Sequence, residues 1–186
     1  MTSYPKIWFL RNGQTEWNAE GRIQGRLNSD LTAQGRADAR KQADLIAPFI
    51  APVQAGPGGI FVSPQGRAQE TARIALGGHE YQVDERIAEI NTGEWEGRLR
   101  SELVYAETDI ETYASAPGGE GIDGLETRVR DFLQSLTGPS ILVSHGILGK
   151  VLRGQVLGLD RIGTASLCNR QGCVYVLEDG CEKILA

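Results

Sequence analysis

Three short apolar runs, each ending on a polar or reactive residue, limit most strongly what this chain can fold into. "KIWFLR" (6–11), "GIFVS" (59–63) and "SILVSHG" (140–146) are continuous, largely β-branched or aromatic, and too short for helices. Such runs read as strands buried on both faces. The segments between them have helical spacing. Residues 31–50 place Ala37, Ala43, Leu45, Ile46 and Phe49 on one face behind a Thr32 N-cap. Residues 67–76 read as a second helix, and 125–136 align Leu125, Val129, Phe132, Leu133 and Leu136 in one stripe. Residues 51–59 read as a turn, 80–83 as a short strand, 147–159 as a helix and 172–179 as a strand. The stretch 86–124 is the least regular, with short helices expected near 100–107 and 109–116. Apolar strands alternating with helices predict an α/β fold: a single domain over residues 1–186, with a mostly parallel sheet and helices on both faces.

In such a sheet, ligands bind beyond the carboxyl ends of the strands. The three ends are Arg11-Asn12-Gly13, Ser63-Pro64 followed by Arg67, and Ser144-His145-Gly146. They bring Arg11, Asn12, Arg67 and His145 to one rim, which makes an anion site with an imidazole in it. A guanidinium at a buried strand end needs an anion or a carboxylate to answer it. Gly13 reads as a point where backbone approaches a ligand. Arg67 opens a helix, where free N–H groups also favour anions. The other of the two histidines, His79, lies in a loop and reads as a surface residue. Four carboxylates, Glu85, Glu89, Glu94 and Glu96, compete for proton transfer, and spacing does not choose among them.

Charge and cysteine content narrow the function classes. The formal net charge is −5, which argues against nucleic acid or a membrane surface as partner. Arg11, Arg22, Arg26, Arg36 and Arg40 nevertheless crowd the first forty residues, a local bias that suits a carboxylate or phosphate ligand. Cys168, Cys173 and Cys181 fit neither a redox pair nor a zinc set and read as reduced thiols. No stretch approaches the roughly 20 apolar residues of a membrane span, so a cytoplasmic protein is expected.

The stretch "LRNGQTEWNAEGRIQGRLNSDLTAQG", followed in order by "VSPQGRAQETA", "RIAEINTGEWEG", "PGGEG" and "LVSHG", resembles the signature of the histidine phosphatase superfamily, the phosphoglycerate mutase-like fold. In that family a histidine of the first motif attacks phosphorus and forms a phosphohistidine. The resemblance implies Arg11, Asn18, Arg67 and His145 around the phosphoryl group, with Gln24, Gly13 and Gly146 helping to hold substrate or phosphate. It also selects Glu89 as general acid and then base. It implies no cofactor and no metal; the expected partner is a small phosphate ester or inorganic phosphate, and a homodimer is left open. Only about thirty residues separate Gly93 from Leu125, which favours a small phosphatase over a mutase. Specificity is expected in residues 86–124, where Trp95, Tyr105 and Tyr113 are candidates for an apolar wall.

At the family's nucleophile position stands Asn12. An amide nitrogen shares its lone pair with the carbonyl, and the side chain ends about 2 Å short of the remote imidazole nitrogen. It still donates and accepts hydrogen bonds. The expectation is a pocket that keeps its shape and loses phosphoryl transfer to the enzyme. An introduced replacement of histidine is the favoured origin, because the other catalytic positions stand intact. A natural binder of phosphate esters is the alternative.

Overall fold

A computed structural model describes residues 4–186. Six strands, β1 (Ile7–Arg11), β2 (Ile60–Val62), β3 (Gln82–Val83), β4 (Ser140–Ser144), β5 (Val174–Glu178) and β6 (Cys181–Leu185), form one sheet in the order β3-β2-β4-β1-β5-β6. The first four in that order are parallel; β5 pairs antiparallel with β1, and β6 with β5. The helices are α1 (Glu16–Glu20), α2 (Ala33–Ala55), α3 (Gly66–Ala75), α4 (Asp109–Ala114), α5 (Gly121–Ser135), α6 (Gly146–Leu157) and α7 (Arg161–Ala165).

Alternation along β1 explains the layering. Trp8 and Leu10 pack with Ile46, Ile50 and Val53 of α2 and with Ala68 and Ala72 of α3. Ile7 and Phe9 pack with Leu125, Val129 and Phe132 of α5 and with Leu148 and Leu152 of α6. Burying each of these large side chains is worth about 1.5–3 kcal/mol, so both faces of the sheet need helices.

The elements differ from the sequence reading in six places. α2 does not stop at residue 50 but runs through Pro48 and Pro52 to Ala55. Both prolines are exposed, so the carbonyls they leave unbonded face water, while Ile46, Ile50 and Val53 stay buried. Residues 100–107 hold only a single 3-10 turn (Arg100–Glu102), and α5 begins at Gly121. The short helices α1 and α7 lie in stretches that had no helical period to read. The strand β6 also went unread, since its polar Glu182 and Lys183 interrupt the apolar signal. It follows a two-residue Asp179-Gly180 turn with both φ positive, 51° and 71°, the turn type that suits hairpins.

The register places the site. Arg11 pairs with Ser144, and Val62 with Val143. Beyond the strands, the Asn12 N–H donates to the Ser144 carbonyl at 2.8 Å and the Ser63 N–H to that of Val143 at 2.9 Å. Three chain exits therefore stand side by side. The exit from β1 is also pressed against the start of α2: a Cβ on Gly13 would lie 2.2 Å from the Gly35 oxygen, and one on Gly35 would lie 2.0 Å from that of Gln14. Gly13→Ala is therefore expected to lower stability by about 1–3 kcal/mol. The check is a urea melt, where the midpoint should fall at unchanged slope; an unmoved midpoint would contradict this packing.

Candidate active site

A cavity of about 260 Å³ opens above these exits. Its floor has two arginines. Arg67, in the first turn of α3, is only 2 % exposed. Its guanidinium donates to the carbonyls of Leu27 at 2.6 Å and Gly25 at 2.9 Å, and burial lowers its pKa to about 10, so it remains a cation at neutral pH. Arg11, at the end of β1, donates to the Asn169 carbonyl, and its Nε is buried with no partner. Burial pulls its pKa down too, with Glu89 opposing. Among the described residues, neither arginine has a salt-bridge partner. Two desolvated cations without a paired carboxylate make the cavity strongly attractive to an anion.

Between them lies Asn12. Its Nδ2 donates to the Gly13 carbonyl at 2.9 Å, and its Oδ1 meets His145 Nδ1 at 3.1 Å. His145 Nε2 lies 2.6 Å from the Ser63 hydroxyl. Burial, and then Arg67, Arg11, Arg128 and Arg26, hold the His145 pKa well below the usual range.

Of the four competing carboxylates, Glu89 alone lines the cavity. It also caps α6. Oε1 accepts from the N–H groups of Leu148 (2.9 Å) and Ile90 (3.0 Å), and Oε2 accepts from that of Ile147 (3.1 Å). Glu85 and Glu94 are exposed, and Glu96 accepts from the Arg26 N–H at 2.8 Å. Among the described residues, no group of three or more His, Cys, Asp or Glu side chains is placed to hold a metal ion.

Residues 7–183 match the family described as histidine phosphatase superfamily (branch 1). The chain belongs to the histidine phosphatase superfamily. A Hydrogenobacter thermophilus protein provisionally named phosphoserine phosphatase 2 is 31% identical over 88% of this chain and 83% of its own length. A Serratia proteamaculans protein provisionally named phosphoglycerate mutase GpmB is 33% identical over 83% of this chain and 75% of its own. The solved structure of Bacillus stearothermophilus YhfR superposes with a TM-score of 0.78 at 27% identity, covering 97% of this chain and 95% of that one. The α/β architecture is that of the superfamily.

Set against the superfamily resemblance, the residues sort clearly. Arg11, Asn12, Asn18, Gln24, Arg67, Glu89 and Gly146 line the cavity. Asn18 also closes the capping box of α1, its Oδ1 accepting from the Thr15 N–H at 3.2 Å. The Gln24 amide is bonded at both ends, to Thr15 at 2.7 Å and Ser29 at 3.1 Å. Gly146 is closely packed: a Cβ there would lie 3.0 Å from Asn169 Nδ2 and 3.3 Å from Arg11 Nε. Gly13 is not among the residues that line the cavity, and the backbone it is packed against is that of Gly35. His145 is likewise behind the wall, touching the site through Asn12. Tyr113 lines the cavity, whereas Trp95 and the exposed Tyr105 do not.

Sequence reasoning missed Arg100, Asp109 and Asn169, polar side chains that also line the cavity. Arg100 Nε is buried without a partner, and Asp109 is held by Lys150 at 2.8 Å. Arg100 and Asp109 open short elements, a 3-10 turn and α4, that are too brief for a period to mark a side chain as inward, and Asn169 lies in a loop.

The buried neutral His145 sets a pH dependence. On unfolding, its imidazole regains a pKa near 6.5, so below that pH the unfolded chain binds more protons and the fold loses stability. In anion-poor buffer the loss should reach up to about 1.4 kcal/mol per pH unit between pH 6.5 and 5. Urea melts of the unsubstituted chain and of His145→Gln would show it, with the steeper decline in the former. Equal slopes would contradict a neutral His145.

Proposed function

We propose that the cavity binds a small phosphomonoester, with its phosphoryl group held by Arg11, Arg67 and Asn12, and that the chemistry this site was built for is phosphoester hydrolysis through a phosphohistidine at position 12. The observation that carries this reading is that the buried Arg67 and the half-buried Arg11, whose Nε is buried without a hydrogen-bond partner, have no salt-bridge partner among the described residues. A phosphoryl group in transfer spreads charge over its equatorial oxygens, which positioned arginines stabilise without any covalent role.

With histidine at position 12, a ring nitrogen forms the N–P bond in line while the ester P–O bond breaks. Glu89 gives its proton to the departing alkoxide. Glu89 then takes a proton from water as the water oxygen attacks phosphorus, the N–P bond breaks, and inorganic phosphate leaves. His145, hydrogen-bonded to residue 12, holds the nucleophile's orientation. No metal enters these steps. With Asn12 the N–P bond does not form, so this chain binds its ester and releases it unchanged. We read Asn12 as standing in for histidine; that Arg11, Asn18, Gln24, Arg67 and Glu89 of the resemblance line one cavity with it supports this reading.

Phosphoryl exchange between positions of one substrate is the second reading, favoured by the mutase name of the Serratia relative. It predicts dependence on a bisphosphate primer. A natural non-catalytic binder is the third, and it predicts that the Asn12→His variant stays inactive.

The experiment compares the chain with Asn12→His on an aryl phosphate. Phosphate release should rise at least about a thousandfold, without a primer, and inorganic phosphate should inhibit competitively. An Asn12→His variant that folds and releases no phosphate from any ester would sink the hydrolase reading.

A further inference from the structure

Gln65, buried at the turn before α3, has no part in the chemistry above, yet it joins three pieces of the site. Its Nε2 donates to the Gly25 carbonyl at 2.7 Å, the same oxygen that Arg67 holds at 2.9 Å. Its Oε1 accepts from the Glu89 N–H at 2.9 Å and lies 2.9 Å from the Ser63 hydroxyl oxygen.

Asn12, His145, Ser63 and Gln65 form one hydrogen-bonded chain. At one end, the bond from Asn12 Nδ2 to the Gly13 carbonyl turns Asn12 Oδ1, which only accepts, toward His145 Nδ1. At the other, the bond from Gln65 Nε2 to the Gly25 carbonyl turns Gln65 Oε1, also only an acceptor, toward Ser63. Three contacts therefore run from acceptor to acceptor: Asn12 to His145, His145 to Ser63 at 2.6 Å, and Ser63 to Gln65. A neutral imidazole and one hydroxyl supply two protons for three contacts. Only an imidazolium supplies the third.

The groups around His145 oppose that charge while the cavity holds no anion. Arg11 of β1, Arg67 of α3, Arg26 of the loop before α2 and Arg128 of α5 act on it as cations. On its own helix, Lys150 is paired with Asp109. The facing carboxylate is Glu89, bonded two and three residues further along α6. A dianion beside Arg11 and Arg67 reverses the balance by offsetting the two nearest cations.

We propose that Gln65 is a positioning residue of the anion site: by ending the His145–Ser63 chain in an acceptor, it makes His145 take up a proton when a tetrahedral dianion enters the cavity. This rests on the anion-site reading above. The balance is simple: anion and one proton enter together, the proton from buffer settles on His145 Nε2, and no covalent bond changes.

Sulfate is the probe, because it does not titrate between pH 5 and 8. Calorimetry of sulfate binding near pH 7, in buffers of different ionisation enthalpy, should show uptake approaching about one proton per anion. Affinity should fall by up to about tenfold per pH unit as pH rises. Nitrogen NMR of the two histidines should show His145 becoming imidazolium while His79 stays unchanged. In Gln65→Leu, sulfate should still bind, with proton uptake reduced at least about threefold. Ser63→Ala cuts the same chain and gives the same prediction should Gln65→Leu fail to fold. Sulfate binding without proton uptake, or uptake unchanged in both variants, overturns this proposal and leaves the anion site standing. If neither sulfate nor phosphate binds, the anion-site reading falls and the proposal with it.

Discussion

The parallel pairing of β1 with β4, in the register that sets Arg11 against Ser144, is the constraint on which the site depends. One residue further along each chain, it puts Asn12 beside His145. A slip by one residue would turn Arg11 and the apolar residues before it to the wrong faces of the sheet. The register is held by what lies below it. Ile7 and Phe9 must meet α5 and α6, while Trp8 and Leu10 must meet α2 and α3. The hydrophobic layers thus determine where the polar rim stands.

That rim carries an electrostatic strain which the fold leaves in place. Arg11 and Arg67 are desolvated next to a buried imidazole, and their charge is met by backbone carbonyls and by the nearby Glu89, not by a bonded carboxylate. Paired carboxylates would stabilise the empty protein and weaken any anion bound there. Elsewhere the chain uses such pairs freely, as where Arg128 makes two bonds to Glu120, at 2.7 and 2.8 Å. Arg128 also holds the carbonyls of Arg86 and Ala88, which fixes the turn carrying Glu89. Other arginines without such a pair, such as Arg40, Arg73, Arg130 and Arg170, are exposed to water, whereas Arg11 and Arg67 are desolvated, which is the physical pattern expected of an anion site.

Much of this was legible in the chain because the three rim strands are continuous apolar runs that end in polar residues. Arg11, Asn12, Arg67 and His145 could be brought together from that pattern alone. Glu89 could not, since its distinction from Glu85, Glu94 and Glu96 is one of position around α6, which spacing does not encode. The packing of Gly13 was hidden for a similar reason: the backbone it approaches, at Gly35, is distant in sequence and carries no mark of contact. The Asp179-Gly180 dipeptide was a readable hairpin signal, masked by the polar character of β6. Pro52 misled in the other direction, because its cost depends on which face of α2 meets water.

The central claim is that the floor of this cavity holds a tetrahedral oxyanion without a covalent bond to residue 12. Crystals soaked in tungstate would test it most directly, since the heavy anion is located unambiguously. The account predicts one tungstate within hydrogen-bonding reach of Arg11, Arg67 and the Asn12 amide, with no bond to Asn12. An empty floor, with tungstate bound at other arginines of the same molecule, would contradict it.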